Sequence, residues 1–218
     1  MTDLQIRKIP FRFDDTVPFQ WNPENPEFGL VANAIGVLVV AMEKMIVSVT
    51  RKVMPRIRNP EVKAEADAFL RQEALHSRAH QLHLAALVER WPGLQQTNDE
   101  VDESFRRLER EHDLDGCVAY IAALEATFPA LFELSLEHRD ALLSPGDARV
   151  ASLFASHFVE ESKARADIRR SSAACPRASS RSRSRASCVR SCRAIARPTS
   201  RSSRSRLPGS RPTRAAST

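Results

Sequence analysis

Four helix-patterned segments of this sequence each carry an acidic residue that their apolar or histidine-bearing stripe does not explain. They are Glu43 in VLVVAMEKMIVSV, Glu73 ahead of His76 in RQEALHSRAH, Glu125 in YIAALEATF, and Glu160 and Glu161 behind His157 in ASLFASHFVEESK. An ionised carboxylate buried alone is strongly penalised or forced neutral. Four segments with the same anomaly constrain the fold more than any other feature, because they are best explained by converging on a shared cation. The competing reading leaves Glu43 and Glu125 at helix edges, paired with Lys44 or with surface cations.

The second segment sharpens the point. The chain has only six histidines, yet Glu73, His76 and His80 stand at offsets 0, +3 and +7, with His83 at +10. At 3.6 residues per turn these offsets share one stripe of a helix. A Glu-x-x-His pair on a helix is how a four-helix bundle presents a carboxylate and an imidazole to a metal in its core. A solvated face that happens to carry histidines is the alternative.

Local chemistry marks where the helices begin. Asn25-Pro26-Glu27 and Asn59-Pro60-Glu61 combine an Asn cap, a Pro at the first helical position and an acid in the first turn, and Ser144-Pro145 repeats the theme. These starts predict helices over 26–54, 60–90 and 145–168. Between them, 98–112 reads as a short amphipathic surface helix. Residues 114–143 read as the remaining long helix, which Pro129 should kink or deprive of a backbone hydrogen bond. Residues 1–24 read as an extended arm whose Phe11, Phe13, Phe19 and Trp21 can lie over a core. Six Gly and one Tyr in 218 residues argue against a turn-rich β fold. The expectation is an all-α fold, a four-helix bundle with an extended N-terminal arm.

The run from Leu30 to Val49 is the one membrane candidate, and Glu43 and Lys44 interrupt it. Each charge at mid-span would cost about 2.5 to 3.5 kcal/mol, so a buried core helix and no membrane partner are expected. The start of the chain lacks a basic region followed by an apolar one, and of the four cysteines only Cys117 precedes residue 169. No disulfide framework is implied, and a cytoplasmic location is the default.

Composition changes abruptly after Ile168. Residues 1–168 carry 19 Lys and Arg against 27 Asp and Glu, whereas residues 169–218 carry 14 Arg, 14 Ser and no acid. The basic balance of the whole chain therefore belongs to its tail. Such a segment cannot bury enough surface to offset its chain entropy and is expected to be disordered. This divides the chain into a metal-binding bundle, 1–168, and a basic tail, 169–218. Arg-rich tails bind RNA through phosphates, but this one lacks interleaved aromatics and follows an acidic body that would repel a polyanion. Nucleic acid is an expected partner only through the tail.

The convergent carboxylates match the di-metal arrangement in which two helices give a Glu each and two give a Glu-x-x-His each. Mixed carboxylate and imidazole donors suit two divalent ions, iron or manganese, better than thiolate-seeking metals. The segments FRFDDTVPFQWNPENPEFGLVANAIG, MEKMIVSVTRKVMPRIRNPEVKAEADAFLRQEALHSRAHQLHL, AALEATF and HFVEES resemble the predicted metal-dependent hydrolase family of bacteria over about residues 9–162. That resemblance implies a ferritin-like bundle and metal dependence, with Glu43, Glu73, His76, Glu125 and Glu161 where the family's ligands fall. The spacing of His157 and Glu161 also resembles the fourth helix of p-aminobenzoate N-oxygenase type di-iron proteins, which makes His157 a ligand candidate. Glu160 and His80 are then candidate proton carriers or orienting groups towards a small-molecule substrate, and His83 is expected to be exposed. An iron-dependent oxygenase and a metal-storage bundle are the alternatives to a hydrolase.

The sequence departs from the pattern at Ala164, three residues after Glu161, where the di-metal arrangement calls for His. An Ala codon followed by an Arg codon, GCN CGN, reads CNC one nucleotide on, and CAC encodes His. Ala164-Arg165 followed by an acid-free Arg/Ser tail is thus the pattern left by a frameshift near Ser162.

Overall fold

Asparagine side chains start the two longest helices. Helix α1, Pro26–Val53, begins where Asn25 Oδ1 accepts the Phe28 N–H at 3.2 Å, and helix α2, Pro60–Arg90, where Asn59 Oδ1 accepts from Glu61 at 2.8 Å and Val62 at 3.3 Å. Each cap satisfies N–H groups that a first turn leaves unpaired. The computed structural model describes residues 6–173, with side chains described through Ser162. It continues with α3, Gly93–Glu111, α4, Leu114–Glu137, a short α5, Arg139–Leu142, and α6, Ala148–Ala173. Among the described residues every regular element is helical, and the all-α expectation holds.

Four boundaries differ from those read in the sequence, the first being α3, which starts at Gly93 rather than at 98. Helix α6 begins at Ala148, not after Ser144, because Asp147 is its cap: Asp147 Oδ1 accepts from Arg149 N–H at 3.0 Å and Val150 N–H at 3.4 Å. Residues 144–146 turn beneath the arm instead, and Asp147 donates its own N–H to the Trp21 carbonyl at 2.7 Å. A Cβ at Gly146 would lie 2.5 Å from Trp21 Cε3, so only glycine lets the turn pass under that ring. Helix α4 runs unbroken through Pro129, whose ring is buried, and stops at Glu137. The last helix continues past 168 to Ala173, and from 174 onward the disorder expected of the tail falls outside the described residues.

Helix α1 packs on α2, α3 and α4, and α6 packs on α4 and α2. The pairs His83 with Phe154, His80 with His157 and His76 with Glu160 ascend α6 as they descend α2, so these two helices are antiparallel. One apolar cluster joins Met42, Ile46 and Val49 of α1 to Phe105 of α3 and to Cys117 and Ile121 of α4. A second joins Trp21 of the arm to Leu87, Phe132, Phe154 and Phe158. Each fully buried side chain of this kind contributes about 1.5 to 3 kcal/mol.

The arm belongs to that second cluster. Trp21 donates Nε1–H to the Gly29 carbonyl at 3.1 Å and stacks on Phe154 with ring centroids 5.7 Å apart, and Phe19 lies against Trp91 at 5.1 Å. Arg149 Nη1 reaches Asp14 Oδ1 at 2.9 Å. By length and composition α1 with its extension to Arg56 could cross a bilayer, and so could α4, a second candidate beside the one read in the sequence; over half of the α1 span is buried within the bundle.

Candidate metal centre

On α1 the helical turn separates two adjacent charges. Glu43 points inward and is fully enclosed, while Lys44 points out to Asp102 of α3 at 3.3 Å. The edge pairing of Glu43 with Lys44 is therefore not what the fold makes. Helix α2 brings Glu73 and His76 inward one turn apart, α6 brings His157, Glu160 and Glu161, and α4 brings Glu125, which is only half-buried.

His76 stands at the middle of the cluster. Its Nδ1 lies 3.5 Å from Glu161 Oε1 and 3.9 Å from Glu43 Oε1, and its Nε2 lies 2.7 Å from Glu160 Oε2. His157 stacks on it with centroids 4.4 Å apart and directs Nε2 toward Glu43 Oε1 at 3.7 Å. Behind His157, its Nδ1 meets His80 Nε2 at 2.9 Å. Two sets of three donors each keep their ligand atoms within 4.8 Å of one another: Glu43, His76 and His157, and Glu73, His76 and Glu161. The sets share His76, so they are halves of one site.

The orphaned atoms test whether a cation fits. Both oxygens of Glu43, Oε1 of Glu73 and Nδ1 of His76 are buried with no hydrogen-bond partner among the described residues. Buried polar atoms are nearly always satisfied, and a carboxylate with neither oxygen bonded is a large exception. A positive ion between these atoms would answer all of them, and the donor set fits one.

The electrostatics agree. Burial first, then the charges of Glu161 and Glu125, push the Glu43 carboxyl well above its ordinary range, and burial with four neighbouring carboxylates does the same to Glu73. Glu161 is raised by burial and by Glu125 and Glu160, and Glu125 is raised by burial to about 7, against a hydrogen bond from Glu161 that pulls it down. Burial holds His157 well below the usual imidazole range and brings His80 to about 3. The protein thus assembles acids that resist ionising beside imidazoles that resist protonating, and a divalent ion relieves both sides.

Five of the six residues marked by sequence as ligand candidates lie in these donor sets; Glu125 lies in neither and meets the cluster at Glu161. Glu160 and His80 sit behind it, each against a ring that faces inward. His83 is the correction: it is 3 % exposed, not a surface residue. Phe13 of the arm covers its ring at 5.1 Å and Phe154 meets it edge-on at 6.3 Å. Burial brings it to about 4, against an upward pull from Asp147. Nothing near His83 in the sequence signals a cover supplied from 70 residues upstream. Ala164 lies on α6 beyond the described side chains.

Residues 5–166, the arm and nearly all of the bundle, match the model of the family described as predicted metal-dependent hydrolase. No curated protein and no solved structure matches the chain.

Proposed function

The chain belongs to the predicted metal-dependent hydrolase family, and from that premise we propose that it hydrolyses a small molecule at a two-ion centre of iron or manganese within a ferritin-like bundle. The observation that carries the reading is the enclosed Glu43, whose two oxygens lack partners while His76 and His157 direct ring nitrogens toward it. Glu43, His76 and His157 would hold one ion. Glu73 and Glu161 would hold the other with Glu125, which lies in neither donor set but reaches Glu161, and His76 Nδ1, with its single lone pair, would serve one ion at a time. Bound there, a divalent ion supplies a Lewis acid that polarises the substrate and acidifies water.

The remaining residues act through those donors. Glu160 accepts the His76 Nε2–H, which leaves the Nδ1 lone pair facing inward and makes the ring a better donor. Phe132 and Phe158 pack beside His157 and exclude water from that flank. The basic tail is read as an appendage with no part in this chemistry.

Metal content per chain, measured after purification without chelators, tests the reading. One to two equivalents of iron or manganese, lost on replacing Glu43 with Ala, is the expected result, and a metal-free chain that refuses both ions would overturn it. The i, i+4 spacing of His157 and Glu161 on α6 favours a second reading, iron-dependent oxygenation at the same donors. Oxygen consumption by the iron-loaded chain with a reductant separates the two.

A further inference from the structure

His80 is enclosed, lies outside both donor sets, and still touches one of the rings within them. We propose that His80 is a positioning residue that accepts the Nδ1–H of His157 and so fixes His157 with a bare Nε2 turned toward Glu43. The inference rests on the metal-centre reading above and adds which nitrogen of His157 serves and what keeps it there.

One proton must lie between His80 Nε2 and His157 Nδ1, which are 2.9 Å apart. If His80 donates it, His157 carries its own proton on Nε2, the nitrogen 3.7 Å from Glu43 Oε1. That nitrogen is then closed to a cation. If His157 donates, Nε2 keeps its lone pair, and the proton of His80 moves to Nδ1. Only the second arrangement lets His157 join the Glu43 and His76 donor set. No net proton enters or leaves the pair, because each ring remains neutral in both arrangements.

The surroundings hold His80 in place for this role. Its Nδ1 edge lies against α1 at Gly36, where a Cβ would be 3.6 Å away, and Phe154 packs on its face at 5.3 Å. The Nδ1 atom is buried with no hydrogen-bond partner among the described residues. The ring is fastened by packing on one side and by one polar contact on the other, and the unpartnered Nδ1–H of this tautomer is a cost that a cation on His157 Nε2 would outweigh. Glu160 does the corresponding work for His76 through the opposite nitrogen, 2.7 Å away. His76 therefore serves through Nδ1 and His157 through Nε2.

Cobalt(II) titration of the full chain, followed by its visible absorption bands, tests the proposal in four forms: wild type, His80→Gln, His80→Leu and His157→Ala. Gln retains an acceptor oxygen and Leu retains only bulk. His80→Leu is expected to weaken cobalt binding about 10- to 100-fold, as loss of such a partner does elsewhere, with His80→Gln recovering most of it. Adding His80→Leu to His157→Ala should cost nothing further, since the effect passes through that ring. Unchanged binding by His80→Leu, or losses that multiply in the double variant, would overturn the inference and leave the centre standing. A wild type that takes up no cobalt overturns both. Should His80→Leu fail to fold by circular dichroism, histidine nitrogen NMR of the zinc-loaded wild type decides: the expected signal is a His157 protonated at Nδ1, and a proton on Nε2 rejects the proposal.

Discussion

His76 gives one ring nitrogen to Glu160 at 2.7 Å and turns the other into the gap between Glu161, at 3.5 Å, and Glu43, at 3.9 Å. The ring is committed at both ends, and His76 is the residue common to both donor sets. Replacing His76 with Ala should therefore lower metal content more than replacing Glu73 or His157, each of which serves one half. Emission spectroscopy on the purified variants checks this order. Glu160→Gln, which weakens the acceptor but keeps its shape, should cost about tenfold in affinity.

The metal-free chain should lose stability as pH rises. Glu43, Glu73, Glu161 and Glu125 all have folded pKa values above the ordinary 4.5, with Glu125 at about 7. The folded state then holds protons that the unfolded state releases, so their contribution is complete below about pH 4.5 and drains away as pH climbs toward 7. A bound cation replaces those protons and removes the loss. Below about pH 6.5 the depressed His80, His83 and His157 oppose this trend, so thermal melts should show the metal-free midpoint falling from about pH 6.5 upward while the loaded midpoint holds or rises.

His83 works in the opposite direction. Its folded pKa of about 4 lies below the ordinary 6.5, so the unfolded chain takes up a proton that the native chain refuses, and stability falls as pH drops through that window. The penalty at pH 5 is about 2 kcal/mol. His83→Leu should therefore gain about that much relative to wild type between pH 7 and pH 5, whatever its packing cost at pH 7. Denaturant melts at the two pH values measure the difference.

Where sequence and structure agree and part follows from the range of the forces involved. Asn25 and Asn59 were legible because a cap bonds N–H groups two or three residues away. The inward turn of Glu43 was legible from its apolar neighbours, and that of Glu73 and His76 from the helical spacing of the histidine stripe, both of which are local. Ser144-Pro145 misled because the choice between it and Asp147 is made by Trp21, more than 120 residues earlier, lying on Gly146. His83 misled for the same kind of reason, since Phe13 covers it from the arm. The division of labour between the two nitrogens of His76 was beyond any pattern, as it depends on Glu160 arriving from another helix at hydrogen-bonding distance.

Ala164→His should raise metal content from near one ion per chain toward two. Position 164 follows Glu161 by three on α6, and the antiparallel register set by His80 with His157 and His76 with Glu160 carries it to the level of Glu73 on α2. An imidazole there would complete the Glu-x-x-His pattern beside the half of the site that has least nitrogen. No gain in bound metal would show that the existing donors suffice. Trypsin should meanwhile trim the Arg-rich residues beyond 173 and leave the bundle intact.

The glycine under Trp21 gives this protein a mechanical tolerance of less than one methyl group. A Cβ at 146 would stand 2.5 Å from the indole, so any other residue must lift that ring. The indole stacks on Phe154, Phe154 packs on His80, and His80 holds His157. A side chain added at a surface turn would thus be transmitted through three aromatic rings to the aim of a single nitrogen. The arm thus stands in contact with the centre through side chains alone, and substituting Gly146 should lower metal content together with stability.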